Sequence, residues 1–479
     1  MADVPVMEIE RDPETGLAVR GRVGDLAWKV GPDGMSVVRE DGAELTLDER
    51  RTLGAGVDPT GGAPAAEVDV DAIDLGQGAT WLRPDREDLF ARLRAERPVS
   101  RHVGMPFTPG GPLVDWWAVT RFDDVQHVSR HPDVFVSGEG GTNIGDIPPL
   151  FAEFLGSIIN MDAPRHTKLR RLVSAGFTPR QVAKVEASVR DRATRIVDAI
   201  AEQGSCEVVA EVSAPLPLQV ICDMMGIPEE DEHRMFELSN TILGFGDPEY
   251  VSSIQDLLAA GYELQQYGIR LAEARRNDPR DDIATALVHA EVDGESLTAE
   301  EIGSFFVLLV AAGNETTRTA TSHGLWALTQ FPEQRQRWID DPEGVGASAT
   351  EEIVRWASPV LHFRRTVARP TELGGVELAE GDRVVMLYLS ANRDEAHFDA
   401  PDRFDVTRSP NDHLGFGGGG PHFCLGANLA RREIRVLFEE LLTRLPDIHV
   451  IDEPDRLSSA FINGIKRMHA EFTPAPTSS

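Results

Sequence analysis

The chain contains few cysteines. Only Cys206, Cys222 and Cys424 occur among 479 residues. An odd number of cysteines without a framework spacing argues against a disulfide scaffold and favours a reducing compartment. Three thiolates also cannot supply the four cysteine ligands of a common iron–sulfur cluster. We therefore expect no iron–sulfur centre within this chain, and each cysteine has to be considered singly.

Basic residues and long apolar runs are scarce as well. Lysine and arginine number 47 against 79 aspartates and glutamates, which gives a formal net charge of −32. Such a surface repels nucleic acid, so we expect no nucleic-acid partner. Residues 1–20 are interrupted by charges and contain no apolar run. We therefore expect no signal peptide, no membrane anchor and a cytoplasmic location.

Two regions of different character follow one another along the chain. Residues 1–75 carry turn signals between short β-prone runs at 17–23 and 35–38, and a linker rich in Gly, Pro and Ala follows at 54–65. This pattern predicts an N-terminal extension of unknown role, either a small β-rich unit or a partly ordered tail. Residues 76–479 show mainly helical periodicity, which predicts one mainly α domain with small β-sheets.

Cys424 stands in an unusual sequence context. It lies in the segment His-Leu-Gly-Phe-Gly-Gly-Gly-Gly-Pro-His-Phe-Cys-Leu-Gly at 413–426. Glycines let a backbone adopt positive φ and approach a flat ligand closely. A helix N-terminus favours a thiolate, and a thiolate in such a position can be the axial ligand of a heme iron. The following helix is predicted from apolar residues that share one face: Ala430, Ile434, Leu437, Phe438 and Leu441.

A second segment combines apolar and polar residues in an unexpected order. Residues 298–330 predict one long helix, with Thr298 and Glu301 as a capping box. Its apolar stretch at 305–312 predicts a buried position at the centre of the domain. The sequence Gly-Asn-Glu-Thr-Thr then follows at 313–317. Polar residues in the middle of a buried helix conflict with burial, and such conflicts tend to mark functional sites.

Together these segments resemble those of the cytochrome P-450 monooxygenases. One departure is visible in the loop phenylalanine, which in the family usually stands seven residues before the cysteine. Gly417 occupies that position here and Phe416 comes one residue earlier, as an extra glycine in the loop would explain. The other positions that the family's heme-thiolate loop requires are filled by Gly418, Gly420, His422, Cys424 and Gly426.

The resemblance implies a cytochrome P-450 fold around one heme b (iron protoporphyrin IX), with Cys424 as the iron ligand and Gly426 beside the heme. It also implies that Glu315 and Thr316 form the acid–alcohol pair that manages protons during oxygen activation. An ordinary threonine kink in a buried helix is the alternative for this pair. The heme propionates would be bound by His166, Arg170, Arg365 and His422, and a solvated basic face is the alternative for the first two.

A structural ion network and a substrate pocket are implied as well. Glu352 and Arg355 are three residues apart on a predicted helix and would join Arg403 near the heme, with a surface ion pair as the alternative. The loop between Phe135 and Ile159 would cover the pocket. Apolar side chains would line it and predict a hydrophobic substrate, unless they serve only as core: Phe306, Val310, Ala311, Val360, Phe363, Phe461 and Ile462.

The resemblance therefore implies a soluble, bacterial-type monooxygenase. It would use O2 and electrons from a ferredoxin and a ferredoxin reductase to hydroxylate a hydrophobic small molecule, such as a steroid, terpenoid, fatty acid or polyketide-like compound. The motif variants resemble the branch that oxidises steroid side chains, terpenoids and branched lipids. A peroxide-driven heme-thiolate oxidase and a non-enzymatic heme-binding sensor are the alternatives, and the acid–alcohol pair argues against both. An acidic ferredoxin is predicted to dock on basic residues around the cysteine loop: Lys168, Arg171, Arg431, Arg432 and Arg435.

Overall fold

The structure is a computed structural model of the chain. Most of the predicted linker at 54–65 lies outside the residues that it describes, as does the middle of the predicted pocket-covering loop, 148–156. The described residues are 7–11, 18–23, 26–30, 37–43, 46, 63–76, 78–104, 113–147, 157–174, 179–244, 247, 249–250, 254–292 and 294–477.

Helices dominate the described part of the chain, and the predicted mainly α fold is confirmed. In chain order the α-helices are α1 (Gly78–Leu82), α2 (Arg86–Glu96), α3 (Phe122–Arg130), α4 (Arg165–Val173), α5 (Pro179–Ala201), α6 (Pro215–Met225), α7 (Glu229–Leu243), α8 (Ile254–Asn277), α9 (Ile283–Val288), α10 (Ala299–Gln330), α11 (Pro332–Asp340), α12 (Pro342–Ala357), α13 (Tyr388–Ala391) and α14 (Ala427–Arg444).

The strands are short and form small sheets. They are β1 (Met7–Arg11), β2 (Ala18–Val23), β3 (Leu26–Val30), β4 (Val37–Arg39), β5 (Val99–Gly104), β6 (Val114–Val119), β7 (Phe135–Val136), β8 (Ser205–Glu207), β9 (Glu291–Val292), β10 (Glu295–Ser296), β11 (His362–Val367), β12 (Thr371–Leu373), β13 (Val376–Leu378), β14 (Arg383–Leu387), β15 (His449–Val450), β16 (Asp455–Arg456), β17 (Ile465–Arg467) and β18 (His469–Glu471).

A five-stranded sheet carries part of the functional site. Its order is β5-β6-β14-β11-β7, with β6 and β14 parallel and the other pairs antiparallel. On β11 the register sets Arg365 opposite Val384 of β14. A three-stranded sheet joins β15, β18 and β8, and the remaining pairs are the hairpins β9–β10, β12–β13 and β16–β17.

The N-terminal extension contains the short strands that its sequence predicts. Strands β1 to β4 pair in sequence order as an antiparallel sheet. The division of domains at residue 75 stays a prediction. The packing favours a boundary nearer residue 63, because residues ahead of 75 are buried in the same cluster as Trp81, Leu89 and Trp116: Ala65, Val68, Ile73 and Leu75.

The predicted central helix is confirmed as α10. Its capping box forms, since Thr298 Oγ1 accepts from the Glu301 N–H at 3.2 Å and Glu301 Oε2 accepts from the Thr298 N–H at 3.0 Å. At Gly324 the helix passes α12 and α14 closely, because a Cβ there would lie 2.8 Å from Phe438 and 2.9 Å from Ile353. Burying each large apolar side chain of this core contributes ~1.5–3 kcal/mol. The fold thus places the polar turn of α10 deep inside the domain.

Candidate active site

Glycines fix the cysteine loop against α3. Gly419 and Gly420 adopt φ values of 88° and 75°, which residues with a Cβ rarely adopt. A Cβ at Gly420 would lie 2.3 Å from the carbonyl oxygen of Ser129. Ser129 Oγ donates to the Gly419 carbonyl at 2.9 Å. The loop is therefore held by close backbone approach, which only glycine permits at these positions.

Phe416 keeps a place beside Cys424 although it stands one residue early. The Cys424 N–H donates to the Phe416 carbonyl at 3.0 Å, and both residues border the same cavity. The extra residue, Gly417, has φ of 97°. A left-handed turn at this residue accommodates the insertion without moving Phe416 away from Cys424. The Phe416 ring lies against Arg431, whose guanidinium carbon is 4.4 Å from the ring centroid.

The Cys424 thiol is exposed to this internal cavity, which we call the thiol cavity. Protein still surrounds the sulfur closely, and burial raises the pKa of the Cys424 thiol. The N–H groups of Gly426 and Ala427 and the charge of Arg170 act in the opposite direction. The helix N-terminus alone therefore does not make the free thiol acidic, contrary to the sequence expectation. A metal ion removes the proton of a coordinating thiol directly.

The other two cysteines lie away from this chemistry. Cys206 and Cys222 are buried, and burial raises the pKa of each thiol to about 12. Neither lines the thiol cavity. A buried thiol with such a pKa is an inert core group.

Two arginines border the thiol cavity without a carboxylate partner among the described residues. Arg365 is 5% exposed, and its Nη1 donates to the Arg364 carbonyl at 2.8 Å. Arg170 donates to the Phe423 carbonyl of the cysteine loop. Burial lowers the pKa of both guanidinium groups, because a buried site disfavours the charge. Buried cations without partners are costly, so this wall is suited to an anionic group.

Two histidines complete this wall. The rings of His166 and His422 lie 4.2 Å apart, and His422 Nε2 is 3.2 Å from Ser137 Oγ. Burial first, and then the charge of Arg365, lowers the pKa of His422 to about 3. Burial also lowers the pKa of His166, which is 2% exposed. Its Nε2 has no hydrogen-bond partner among the described residues, and a buried polar atom of this kind calls for a partner from a ligand.

Heme b fits this arrangement. Its iron takes a thiolate, its two propionates take N–H donors, and its flat ring needs close backbone approach. At Gly426 φ is an ordinary −85° and a Cβ would meet no atom within 4 Å, so this glycine leaves space in the cavity and relieves no strain. The structure brings all the predicted cofactor residues to one cavity or its wall: His166, Arg170, Arg365, His422, Cys424 and Gly426.

The polar turn of α10 borders the same cavity. Thr316 Oγ1 donates to the Ala312 carbonyl at 2.7 Å. Ala312 is exposed in the middle of a buried helix, because it faces the thiol cavity. Gly313 has no room for a side chain, since a Cβ would lie 2.1 Å from Ile221 Cδ1 of α6. The helix backbone itself therefore fixes the position of the Thr316 hydroxyl.

Glu315 does not join Thr316 at the cavity in this structure. It is 1% exposed, forms an ion pair with Arg318 and accepts from Thr319 Oγ1 at 3.4 Å. Neighbouring residues of a helix point ~100° apart, so the hydroxyl faces the cavity and the carboxylate faces away. A direct proton relay through Glu315 would require its release from Arg318, and that role stays a prediction.

The predicted buried ion network forms with a different third member. Arg355 Nε and Nη2 donate to the two carboxylate oxygens of Glu352 at 2.8 Å each, and both side chains are 0% exposed. The prediction that the Arg403 side chain joins this network is wrong. That side chain is exposed, and Arg403 takes part only through its backbone carbonyl, which accepts from Arg355 at 3.3 Å. Arg408 Nε donates instead, at 3.1 and 3.2 Å from the Glu352 oxygens. Burial of Phe404 (0% exposed) turns its neighbour Arg403 outward.

Removing the Arg408 side chain should therefore destabilise the fold more than removing that of Arg403. We expect Arg408→Ala to lower the free energy of unfolding by ~1.5–3 kcal/mol, since it takes charged hydrogen bonds from buried Glu352. Arg403→Ala should stay within ~0.5 kcal/mol of the parent, as exposed substitutions usually do. Denaturant unfolding of both variants measures the difference. Equal free energies of unfolding for the two variants would show that Arg408 does not contribute to the network.

A second cavity adjoins the thiol cavity, and we call it the substrate cavity. Residues common to both linings are Ile159, Leu308, Ala312, Thr316, Val360 and Phe363. The Thr316 hydroxyl thus lies where the two cavities meet. Five of the predicted pocket residues line the substrate cavity: Ala311, Val360, Phe363, Phe461 and Ile462.

Two predicted pocket residues belong to the core instead. Phe306 is 0% exposed, and its ring lies 5.7 Å from that of Tyr267 on α8. Val310 is 0% exposed within the main apolar cluster. Both lie on a face of α10 turned away from the stripe that carries Leu308 and Ala312. A continuous apolar run gives no helical phase, so the sequence could not separate the two faces.

Sequence reasoning missed one carboxylic acid of the thiol cavity. Glu433 on α14 lines it, is 2% exposed, and has no partner for Oε1 among the described residues. Burial raises the pKa of Glu433 well above its usual range, while hydrogen bonding to Thr317 acts in the opposite direction. The only signal in the sequence was an acid directly beside Ile434 on the apolar face of a helix.

Comparison with known proteins identifies the class. The cytochrome P450 family model matches residues 347–456. The methyl-branched lipid omega-hydroxylase of Mycobacterium tuberculosis (strain ATCC 25618 / H37Rv) is 50% identical over 415 residues, which cover 85% of this chain and 96% of that protein. The steroid C26-monooxygenase of Rhodococcus jostii (strain RHA1) is 44% identical over 390 residues, 81% of this chain and 82% of that protein.

Solved structures agree with these sequence relationships. Cytochrome P450 CYP268A2 of Mycobacterium marinum, in complex with pseudoionone, superposes with a TM-score of 0.78 at 44% identity, over 84% of this chain and 98% of that one. The chain belongs to the cytochrome P450 family. It is a heme b monooxygenase that hydroxylates a hydrophobic substrate. None of the described helices combines the length and apolar character needed to cross a bilayer.

Proposed function

We propose that Cys424 is the axial ligand of the heme iron, and that the propionates bind the wall formed by His166, Arg170, Arg365 and His422. The observation that supports this best is the thiol cavity itself, which holds an exposed cysteine beside two arginines that lack carboxylate partners among the described residues. Two propionates would neutralise the two guanidinium charges. The apolar remainder of the lining suits the porphyrin faces.

The residues of the site have separate roles in the proposed reaction. Heme b, when bound, supplies a redox-active iron at which dioxygen is reduced and split. One oxygen atom enters a substrate C–H bond and the other leaves as water, with two electrons and two protons consumed. Thr316 holds a proton at Oγ1 where the two cavities meet. The apolar walls exclude bulk water and position the C–H bond that reacts.

We further propose that the substrate is a methyl-branched lipid, hydroxylated at its terminal carbon. The relative at 50% identity is named for that activity. The substrate cavity supports it, since aliphatic and aromatic side chains such as Leu257, Val307 and Phe461 line most of its wall. The shared lining at Ala312 and Thr316 leaves one end of the cavity open toward Cys424. A chain terminus is the part of a lipid that such an opening admits.

Reconstitution tests the proposed function. The heme-loaded protein, a ferredoxin, its NADH-dependent reductase and a saturated methyl-branched alcohol should give the terminal hydroxyl as the main product, identified by mass spectrometry. Hydrogen peroxide without ferredoxin and reductase should give much less product, because the proposed monooxygenase depends on electrons from the ferredoxin. A peroxide-driven oxidase would need no electron donor. Equal yields with peroxide alone would favour the oxidase alternative. Binding without any product would favour the sensor alternative.

The ferredoxin partner is also proposed, but on a different set of cations from the one that the sequence predicts. Most of the predicted docking cations are already paired: Lys168 with Glu295, Arg431 with Glu351, Arg432 with Glu186 and Arg435 with Glu439, at 2.5–2.9 Å. A paired charge steers a partner weakly. Among the described residues, the exposed Arg130 and Arg171 have no carboxylate partner, and Arg130 Nε donates to the Gly418 carbonyl at 3.3 Å.

Charge reversal at Arg130 should therefore weaken electron delivery. We expect Arg130→Glu to raise the ferredoxin KM by ~10-fold at low salt, with a smaller effect at high salt. Arg432→Glu is the matched control, because that charge is already paired with Glu186, and it should change KM less. Steady-state turnover against ferredoxin concentration measures both. An equal change of KM in the two variants would place the docking surface elsewhere. An unchanged spectrum of the reduced carbon-monoxide complex verifies that the cysteine loop is intact in each variant.

A cytoplasmic location is part of the same proposal. It is supported by three cysteines that are all free thiols and by the need for a soluble electron donor.

A further inference from the structure

One part of the substrate cavity carries polar groups that the reaction does not use. Four polar residues line the substrate cavity but not the thiol cavity, and we call them the neutral rim: Thr142, Asn143, Ser157 and Asn160. Thr142 donates its N–H and its hydroxyl to Asn160 Oδ1 at 3.1 and 2.9 Å. The side chains of Asn143 and Ser157 make no hydrogen bond to other described residues. They are available to a ligand.

The described residues that line the substrate cavity include no lysine and no arginine. This described lining therefore offers a ligand no cationic side chain.

One arginine lies close behind the neutral rim, and its charge is already paired. Arg364 is 2% exposed and donates to the carbonyls of Asn143 and Ile144 at 3.4 and 3.1 Å. Its Nη1 also binds Asp146 Oδ1 at 2.7 Å, while Arg383 binds Asp146 Oδ2 at 2.6 Å. Arg364 does not line the substrate cavity. It holds the Thr142–Asp146 backbone in place and is not offered to a ligand.

We propose that the neutral rim selects a branched lipid whose polar end is uncharged, such as an alcohol, ketone or ester, over the free carboxylic acid of the same chain. This rests on the proposed function, in which the lipid enters with its terminal carbon toward Thr316. Amides and hydroxyls both donate and accept, so Asn143 and Ser157 match a neutral oxygen. A carboxylate held there loses its hydration without gaining a cation, which is costly.

Three ligands with one methyl-branched chain test this inference: the primary alcohol, the methyl ester of the acid, and the acid itself. Their dissociation constants for the heme-loaded protein are measured at pH 8, where the acid is ionised, by calorimetry and by the optical change on displacement of iron-bound water. The alcohol and the ester should bind ~10-fold or more tightly than the acid. Equal or tighter binding of the acid would overturn the inference.

A substitution at the rim provides a second readout. Asn143→Lys introduces a cation at the rim and should raise the affinity for the acid by ~10-fold relative to the alcohol. Asn143→Ala is the matched control, since it removes the amide without adding charge and should leave the acid the weakest ligand. If the order of ligand affinities were unchanged in Asn143→Lys, the neutral rim would not be the contact for the polar end of the lipid.

The two proposals fail in different ways. If all three ligands bind and are hydroxylated at the terminal carbon, but the acid binds most tightly, only the selection by the neutral rim is wrong. If none of them binds, the assignment of a methyl-branched substrate is wrong, and the selection is wrong with it.

Discussion

Replacing Cys424 with serine is expected to abolish the thiolate signature of the heme protein. The reduced, carbon-monoxide-bound parent should show the red-shifted Soret band that a thiolate ligand produces, and Cys424→Ser should lose it together with monooxygenase turnover. A serine hydroxyl does not ionise at neutral pH and cannot donate electron density as a thiolate does. Optical spectra of the reduced carbon-monoxide complex measure the change.

The other cysteines serve as controls for this prediction. Cys206→Ala and Cys222→Ala should keep the red-shifted band, because both thiols are buried away from the thiol cavity. Heme content and circular dichroism of Cys424→Ser separate loss of the ligand from loss of the fold. A folded, heme-containing Cys424→Ser protein that retained the red-shifted band would disprove the assignment of the ligand.

Local sequence patterns predicted the features that depend on neighbouring residues. The capping box of α10 requires only Thr298 and Glu301, which are three residues apart, and both of its hydrogen bonds form. The glycine loop likewise follows from the conformational freedom of its own residues, three of which adopt positive φ at 417, 419 and 420. Such features are encoded within a few residues, so a sequence reveals them without any knowledge of tertiary contacts.

Side-chain direction and charge pairing could not be predicted in the same way. Glu315 and Thr316 are adjacent in sequence, yet the contact with Arg318 turns the carboxylate away from the cavity. Arg432 reads as a free cation in the sequence, but its partner Glu186 is 246 residues away. Arg403 and Arg408 are equally good candidates by type, and only the fold decides which one reaches Glu352. The last two errors share one cause, because each depends on a contact between distant segments. The contact of Glu315 with Arg318 spans only three residues, but which face of α10 meets the cavity depends on how the helix packs in the fold.

Replacing Thr316 with alanine is expected to uncouple electron use from product formation. The Thr316 hydroxyl is the polar side chain that α10 presents where both cavities meet, and its back-bond to Ala312 at 2.7 Å fixes its position. Loss of a positioned proton donor should slow the step that it serves by ~10²–10⁴-fold. NADH consumption should continue while hydroxylated product falls and released hydrogen peroxide rises. Parallel assays of NADH, product and peroxide measure the coupling.

Thr316→Ser is the matched variant, since it keeps a hydroxyl that can bind the same helix carbonyl. It should retain most of the coupling that Thr316→Ala loses. Peroxide-supported hydroxylation should fall much less in Thr316→Ala than NADH-supported hydroxylation, because peroxide brings its own protons and electrons. If Thr316→Ala and Thr316→Ser gave the same coupling as the parent, the Thr316 hydroxyl would serve only the local shape of the helix. Proton delivery would then have to be sought at another protonatable side chain of the thiol cavity, and Glu433 on α14 is the first candidate.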